Sequence, residues 1–404
     1  MILFNGLLSI KAVTFLMFSI FAIMMLGYAL GRITVKGIEL GTAGVFIVAL
    51  LYGCFFYHNL DRHLTVKTVQ FTTNALKIIE NLGLILFVSA VGFIAGPKFF
   101  GNLKKNFKSY VLLGLLIIVF GGIACTICIF IERAINTNLT SDEITAMIVG
   151  IFSGALTSTP AFSASKEAVG AELESIVSVG YGIAYLYGVI GVVLFVQIVP
   201  KLLGANMEEE RRKLVAAEES AKKQLPANLI EMDAFGFFAF SAAAVIGIFL
   251  GSVKYHNFSL TMTGGCLITA LLFGHFGHIG RISIMPTTAT LKICRELGLA
   301  LFLLGAGVSG GANFVKYFKP VYFLYGMVIT TLPMIAGYFF ARYVLKLALL
   351  NNLGSITGGM TSTPALGTLI HVAKTEDAAA AYACTYPIAL ISVVLVSQLI
   401  IIFL

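Results

Sequence analysis

From one end to the other, the chain alternates apolar blocks of about 20 residues with short polar breaks. An α-helix needs that length to cross a hydrocarbon core of about 30 Å at 1.5 Å per residue. In the first half the blocks predict spans over about 12–31, 38–57, 80–100, 109–131 and 176–199. A sixth segment, about 144–165, is apolar overall but carries Gly, Ser, Thr and Pro at its centre, where a lipid-facing helix would carry Leu and Val. Its counterpart in the second half is about 349–371. Such a segment predicts either a broken crossing helix or a re-entrant hairpin. The first apolar block follows Lys11 and has no small-residue cleavage site, so it reads as a span and not as a signal peptide.

The pattern is written twice. Lys77–Gly96 and Lys292–Gly311 are identical at nine of 20 positions, Gly150–Phe162 and Gly354–Leu366 at seven of 13, and Tyr181–Gln197 and Tyr382–Gln398 at seven of 17. The offset slides from 215 to 204 to 201 residues, as small loop insertions and deletions produce. The implied division is a first membrane repeat over 1–200, a charged linker over 201–232 and a second membrane repeat over 233–404. Within the linker, Glu208–Gln224 places acidic residues three or four positions from basic ones, the spacing of a solvated helix. It is too short to make a domain alone.

Charge decides how the two odd segments sit. If they enter and return, and the N-terminus lies outside, 16 Lys and Arg fall in cytoplasmic loops and eight outside. If all twelve segments cross, the split is 13 to 11. The positive-inside rule favours the first arrangement. Five crossings per half then bring the second half in from the opposite face. The expected fold is an all-α polytopic membrane protein. It has two inverted repeats, each of five transmembrane helices plus one re-entrant or broken-helix hairpin. Both termini lie outside and the linker is cytoplasmic. The hairpin tips could then meet near the centre, and inverted repeats with a midplane site are a recurring carrier architecture.

Composition narrows the class. Charged residues are 11% and apolar residues 58%, against roughly 25% charged in soluble domains. That excludes an ordinary cytosolic enzyme, a disordered chain and a nucleic-acid-binding domain, and the net charge of +8 is accounted for by the loops. The six cysteines lie inside predicted spans and read as small hydrophobes, including Cys125 and Cys128 at CxxC spacing. His275 and His278 have HxxH spacing without a carboxylate or cysteine companion, so no metal site is expected.

Both odd segments contain TSTPA, at Thr157–Ala161 and Thr361–Ala365. Proline breaks a helix, and a broken helix at membrane depth is tolerated only when buried in protein or lining a wet cavity. The free N–H groups of the following half-helix suit a carboxylate, and the hydroxyls add neutral donors and acceptors. The candidate substrate-binding residues are therefore Ser153, Gly154, Thr157, Ser158, Thr159 and Pro160 in the first copy. Thr357, Gly358, Thr361, Ser362, Thr363 and Pro364 are their counterparts in the second. Arg295 is the candidate counter-charge, because it can hold a carboxylate bidentately; snorkelling at an interface, as for Lys77 and Lys292, is the alternative. Tyr185 and Tyr386 share helix faces with Tyr181 and Tyr382 at i, i+4 spacing, and either line a pathway or pack in a core.

The paired GxxxGxxTxTPA segments, each preceded by an LGLxLFxxxxG helix, resemble the aspartate:alanine exchanger family, whose membrane domain is duplicated. The resemblance covers nearly all of both halves. It implies exchange of amino acids such as aspartate and alanine, or of dicarboxylates, across a bacterial inner membrane. The layout is also similar to the sodium/glutamate symporters, which implies an elevator-type carrier, and a homodimer is expected. Many family members carry a large cytoplasmic regulatory insert between the halves; only the short charged linker stands there here, so regulation by a ligand at that place is not expected. The resulting expectation is a secondary active transporter of small anionic or zwitterionic carboxylate-bearing solutes, working by exchange, and not an enzyme. The alternative is a sodium- or proton-coupled symporter of glutamate or a dicarboxylate. Na⁺ is the candidate coupling ion, since threonine hydroxyls and free carbonyls also coordinate it, and no other cofactor is called for. An intramembrane hydrolase using Ser153 with His371 as base is disfavoured by the duplication: a catalytic serine is needed once, yet the position recurs as Thr357. A channel would need a continuous polar lining, and the polar residues cluster at two tips. Thr330, outside both motifs, is expected to be a neutral position.

Overall fold

The computed structural model describes residues 2–3, 8–9, 12–35, 38–39, 41–66, 69–105, 107–212, 229–255, 258–259, 261–374 and 378–404. Among these the chain is almost entirely helical. The first half forms α1 (Ala12–Gly31), α2 (Ala43–Leu64), α3 (Thr72–Lys105), α4 (Leu112–Ile135), α5 (Ser141–Ala155), α6 (Thr159–Val169) and α7 (Glu174–Leu202). A short α8 (Met207–Arg212) opens the linker, helical as its charge spacing predicts, while 213–228 lies outside the described residues. The second half forms α9 (Phe237–Gly251), α10 (Thr261–Phe276), α11 (Thr288–Tyr317), α12 (Pro320–Phe339), α13 (Leu349–Gly359), α14 (Thr363–Ala373) and α15 (Ala378–Phe403). Several loops close on antiparallel ladders of two residues per strand.

Among the described residues, eight helices are long and apolar enough to cross a membrane: α1, α2, α3, α4, α7, α11, α12 and α15. Large apolar side chains such as Phe21, Phe55 and Phe249 point outward from the helices, as a lipid-facing surface requires. The chain is thus a multi-pass membrane protein. α9 and α10 are apolar but have only 15 and 16 residues, about 22–24 Å of helix. They fall short of the full-length spans the sequence predicts for the second half. At the start of α9, the Asp233 carboxylate accepts the N–H groups of Phe238, Phe237 and Phe235, which hold its pKa below the ordinary carboxylate value. Two boundaries in the first half also move. The second span begins at Ala43 and not near 38, because a two-residue strand and a turn at Gly41, with φ of 56°, occupy the start of the apolar block. The third extends to Thr72–Lys105, since helical structure continues past the apolar block into its polar flanks.

The helices sort into two bundles. α1, α2, α3, α9, α10 and α11 pack chiefly on one another, and α4–α7 with α12–α15 form the second group. The bundles meet along α11 and α7, α10 and α6, and α3 and α15. At the centre of this seam Phe162 of α6 stacks on Tyr181 of α7 with ring centroids 4.0 Å apart, and Phe46 of α2 and Phe302 of α11 press edge-on against Phe162.

Both odd segments are hairpins. α5 and α7 run side by side in the same direction, with Gly150 against Val177 and Gly154 against Tyr181. A Cβ at either glycine would strike a carbonyl of α7. Parallel neighbours joined by α6 require α6 to run back. It does: Ser153 and Ser165 bring their hydroxyls to 3.4 Å, where a continuous helix would hold them about 18 Å apart. In the second segment Leu350 and Leu353, near the start of α13, pack with Leu369 and Ala373, near the end of α14. That cluster includes Val196, close to the end of α7, whereas the first hairpin leads directly into the start of α7. The two hairpins therefore open toward opposite ends of α7.

Candidate functional site

Each hairpin tip is a helix C-terminus followed at once by a helix N-terminus. α5 starts on a capping box, in which Thr140 accepts the Glu143 N–H and the Glu143 carboxylate accepts the Thr140 N–H. It ends in a Schellman turn: Ser158 N–H donates to Ser153 O at 2.9 Å and Thr157 N–H to Gly154 O at 2.9 Å. Thr157 is left-handed, with φ of 53°. α13 ends the same way, with Ser362 N–H on Thr357 O at 3.0 Å, Thr361 N–H on Gly358 O at 3.1 Å, and Thr361 at φ of 50°.

The left-handed position of such a turn ordinarily holds glycine, and an L side chain there costs about 1–2 kcal/mol. What threonine contributes lies across the gap between the tips. Thr157 Oγ1 donates to Met360 O at 3.1 Å, and Thr361 Oγ1 donates to Leu156 O at 2.7 Å. The bonds are reciprocal: each tip's threonine holds the carbonyl just before the other tip's threonine. Strain of this kind is concentrated at ligand clamps and switches. Thr157, Ser158, Thr159, Thr361 and Ser362 are all buried.

The remaining candidates divide by what their polar atoms already do. Ser153 donates to Val149 O and Thr357 to Gly354 O, so both hydroxyls are satisfied within their own helices. Ser158 caps α6 by accepting the Ala161 N–H at 3.3 Å. Ser362 stands at the same place before α14, yet it makes no cap bond and its hydroxyl is buried without a hydrogen-bond partner. Thr159 lies beside the Tyr181 phenol. The backbone of Thr363 and Pro364 begins α14; their side chains, and that of His371, lie outside the described part of the structure. Gly154 and Gly358 pack on the backbone of Tyr181 and Tyr382 respectively. The tyrosine pairs share a face as their spacing predicts, with centroids 4.9 Å apart in both Tyr181–Tyr185 and Tyr382–Tyr386.

Among the described residues, Arg295 makes no hydrogen bond or ion pair with either tip. It pairs with Glu296 at 3.2 Å and is about two-fifths exposed. It lies within electrostatic range of Tyr386, which follows Thr385, a residue packed on Gly358 at the second tip. Thr330 is not the neutral position its place in the sequence suggests: it is buried and donates to Ala155 O at 3.2 Å, at the end of α5.

Besides Lys77, charged residues that the sequence pattern did not single out sit around the first hairpin. Lys166 of α6 and Glu80 of α3 form a buried ion pair at 2.5 Å across the seam between the bundles. Beside it Lys77 pairs with Glu174 at 2.7 Å, so this lysine has a defined partner. Glu167 accepts from Met262 N–H and Thr263 Oγ1 of α10, each at 2.7 Å. Glu132, buried in α4, accepts from Tyr322 at 3.1 Å, Tyr325 at 3.0 Å and Asn136 at 2.8 Å. The signal that points to such groups is their residue type: ionisable side chains inside or beside apolar segments are costly and come paired.

Comparison with known proteins gives the following. A family profile described as the predicted permease membrane region Asp-Al_Ex matches the chain twice, over residues 19–201 and 239–402. An uncharacterised transporter of Bacteroides thetaiotaomicron is 26% identical, the match covering 95% of this chain and 97% of that protein. One from Bacteroides fragilis is also 26% identical with the same coverage. Another, from Desulfotalea psychrophila, is 23% identical over 95% of this chain and 96% of its own length. The first of these alignments runs over 545 positions against the 404 residues here, so that relative carries a sizeable stretch with no counterpart in this chain.

Proposed function

Since the chain belongs to the aspartate:alanine exchanger family of membrane permeases, we propose that it is a secondary active transporter. In this reading it exchanges small carboxylate-bearing solutes by alternating access: amino acids such as aspartate and alanine, or dicarboxylates. The observation that carries the reading is the meeting of the two hairpin tips through the reciprocal threonine bonds. Two helices, α6 and α14, each begin two residues after the threonine that bonds the opposite tip, and neither TSTPA tip carries a formal charge. Helix N-termini and hydroxyls favour a carboxylate over a cation, and Arg295 provides positive charge on the side of the second tip.

The partition into two bundles supports an elevator motion, in which α4–α7 and α12–α15 carry the tips past the other six helices. Hairpins that open toward opposite ends of α7 support the inverted-repeat reading. The excess of Lys and Arg in the predicted cytoplasmic loops, 16 against eight, supports an orientation with the first hairpin outside and the linker in the cytoplasm, in a cell inner membrane.

The test is counterflow in proteoliposomes loaded with unlabelled L-aspartate. Labelled L-aspartate, L-alanine, L-glutamate, succinate, glucose and putrescine are supplied outside, with and without a sodium gradient. Exchange predicts uptake that depends on internal substrate, is competed by other carboxylates, and ignores sodium. Uptake that needs the sodium gradient and not internal substrate would replace exchange by symport. Uptake confined to uncharged or cationic solutes, with no competition by any carboxylate, would overturn the carboxylate reading.

A further inference from the structure

We propose that the two copies of the motif are used unequally: the substrate carboxylate docks on the second tip, at Ser362 and the start of α14, with Arg295 as its counter-charge, while the matching serine of the first tip is taken up as the cap of α6. This assignment rests on the carboxylate reading above and adds to it which half binds.

The two tips share a sequence and a backbone but not a hydrogen-bond inventory. Ser158 spends its hydroxyl as the cap of α6, accepting the Ala161 N–H. Its counterpart Ser362 is fully buried, its hydroxyl makes no bond, and α14 is left without a side-chain cap. A buried hydroxyl without a partner costs about 1–3 kcal/mol, so a group that supplies the missing acceptor is favoured there. A carboxylate does so. One of its oxygens accepts from the Ser362 hydroxyl while the free N–H groups of the first turn of α14 face the same charge. α14 has 11 residues, enough to present a helix N-terminus.

The surrounding charge differs in the same sense. In the repeat alignment Glu80 corresponds to Arg295. On the first side Glu80 is already neutralised by Lys166 from α6, and Glu167 adds a second carboxylate held by α10. Among the described residues, an anion arriving there meets acidic groups, with Lys166 and Lys77 already paired. On the second side α13 and α14 contain no Asp or Glu, and Lys166 is replaced by Ile370. Among the described residues Arg295 has its neighbour Glu296 as ion-pair partner, at a surface position, and lies within range of Tyr386 beside the tip.

The test is equilibrium binding of radiolabelled succinate and radiolabelled L-alanine to detergent-purified protein at fixed ionic strength. Four variants are compared: Ser362→Ala, Ser362→Thr, Ser158→Ala and Arg295→Gln. Monodisperse elution and melting temperature are recorded for each. Ser362→Ala is expected to weaken both ligands about 10- to 100-fold, as loss of a hydrogen bond to a charged group does. Ser362→Thr, which keeps the hydroxyl, should recover most of that loss. Ser158→Ala should lower the melting temperature and leave both affinities within about twofold, since it removes a helix cap. Arg295→Gln should weaken both ligands, since each presents a carboxylate, and succinate, a dianion, more than L-alanine. Ser158→Ala weakening binding as much as Ser362→Ala would overturn the unequal assignment, and so would a folded Ser362→Ala protein with wild-type affinity. A folded Arg295→Gln protein that binds both ligands with wild-type affinity would remove Arg295 from it. Wild-type protein that binds no carboxylate would instead bring down the underlying reading, and this assignment with it.

Discussion

Thr157 and Thr361 adopt a backbone conformation that glycine would take at no steric cost, and each returns one hydrogen bond to the opposite tip. Thr→Val at either position keeps the shape and the strain but deletes the donor, leaving Met360 O or Leu156 O short of a buried partner. Each change is expected to cost about 1–3 kcal/mol. Because the two bonds close one shared contact, the double variant should lose less than the sum of the singles. Melting temperatures of the detergent-purified proteins measure this, and a Thr361→Val protein that melts with wild type would show that the bond contributes nothing. Thr330→Val should also destabilise, through the lost bond to Ala155 O. At this scale the sequence was only partly legible. The TSTPA repeat marks the tips correctly as broken, hydroxyl-rich points. It does not say that the first threonine of each copy faces the other tip, because that depends on a left-handed residue where glycine is the rule. Nor does it separate Ser158 from Ser362, whose neighbours in sequence are the same.

Among the elements, α3 and α6 are joined by the Lys166–Glu80 pair, both members of which are nearly excluded from solvent. Removing one partner strands a buried charge, at a cost of about 3–5 kcal/mol, whereas replacing both by apolar groups of similar volume is often neutral. Lys166→Met and Glu80→Met are therefore expected each to lower the melting temperature, and the combination of the two to recover much of the loss. Thermal melts with matched expression check this; two single variants as stable as wild type would show that the pair is not a tie between the bundles. Element existence was readable from apolar length for α1, α4 and α7, whose bounds nearly coincide with the blocks. The shortness of α9 and α10 was not, because flanking apolar residues enter turns and two-residue ladders that hydropathy counts as span. The return of α6 followed from loop charge before any geometry, since only a returning segment leaves the Lys and Arg distribution biased.

For the whole molecule, orientation is the open physical quantity. With the linker in the cytoplasm, Glu209→Cys in a cysteine-free background should react with an impermeant maleimide only after the cells are permeabilised. Asn138→Cys, exposed in the loop before α5, should react in intact cells. The reverse pattern would invert the assignment. The reciprocal threonine bonds have one more consequence. Residue i holding j while the counterpart of i holds the counterpart of j is the signature of an isologous contact, the kind that two identical subunits make about a two-fold axis. In a true homodimer of half-chains every side chain on that axis would occur twice, and no mutation could alter one edge of the site without altering the other. One continuous chain is released from that constraint. Ser158 could become a cap while Ser362 stayed unengaged, and the glutamate at position 80 could face an arginine at the matching place, only because the two copies are spelled separately. A substrate with two different ends can be told apart head from tail by such a chain, and not by the symmetric pair it resembles.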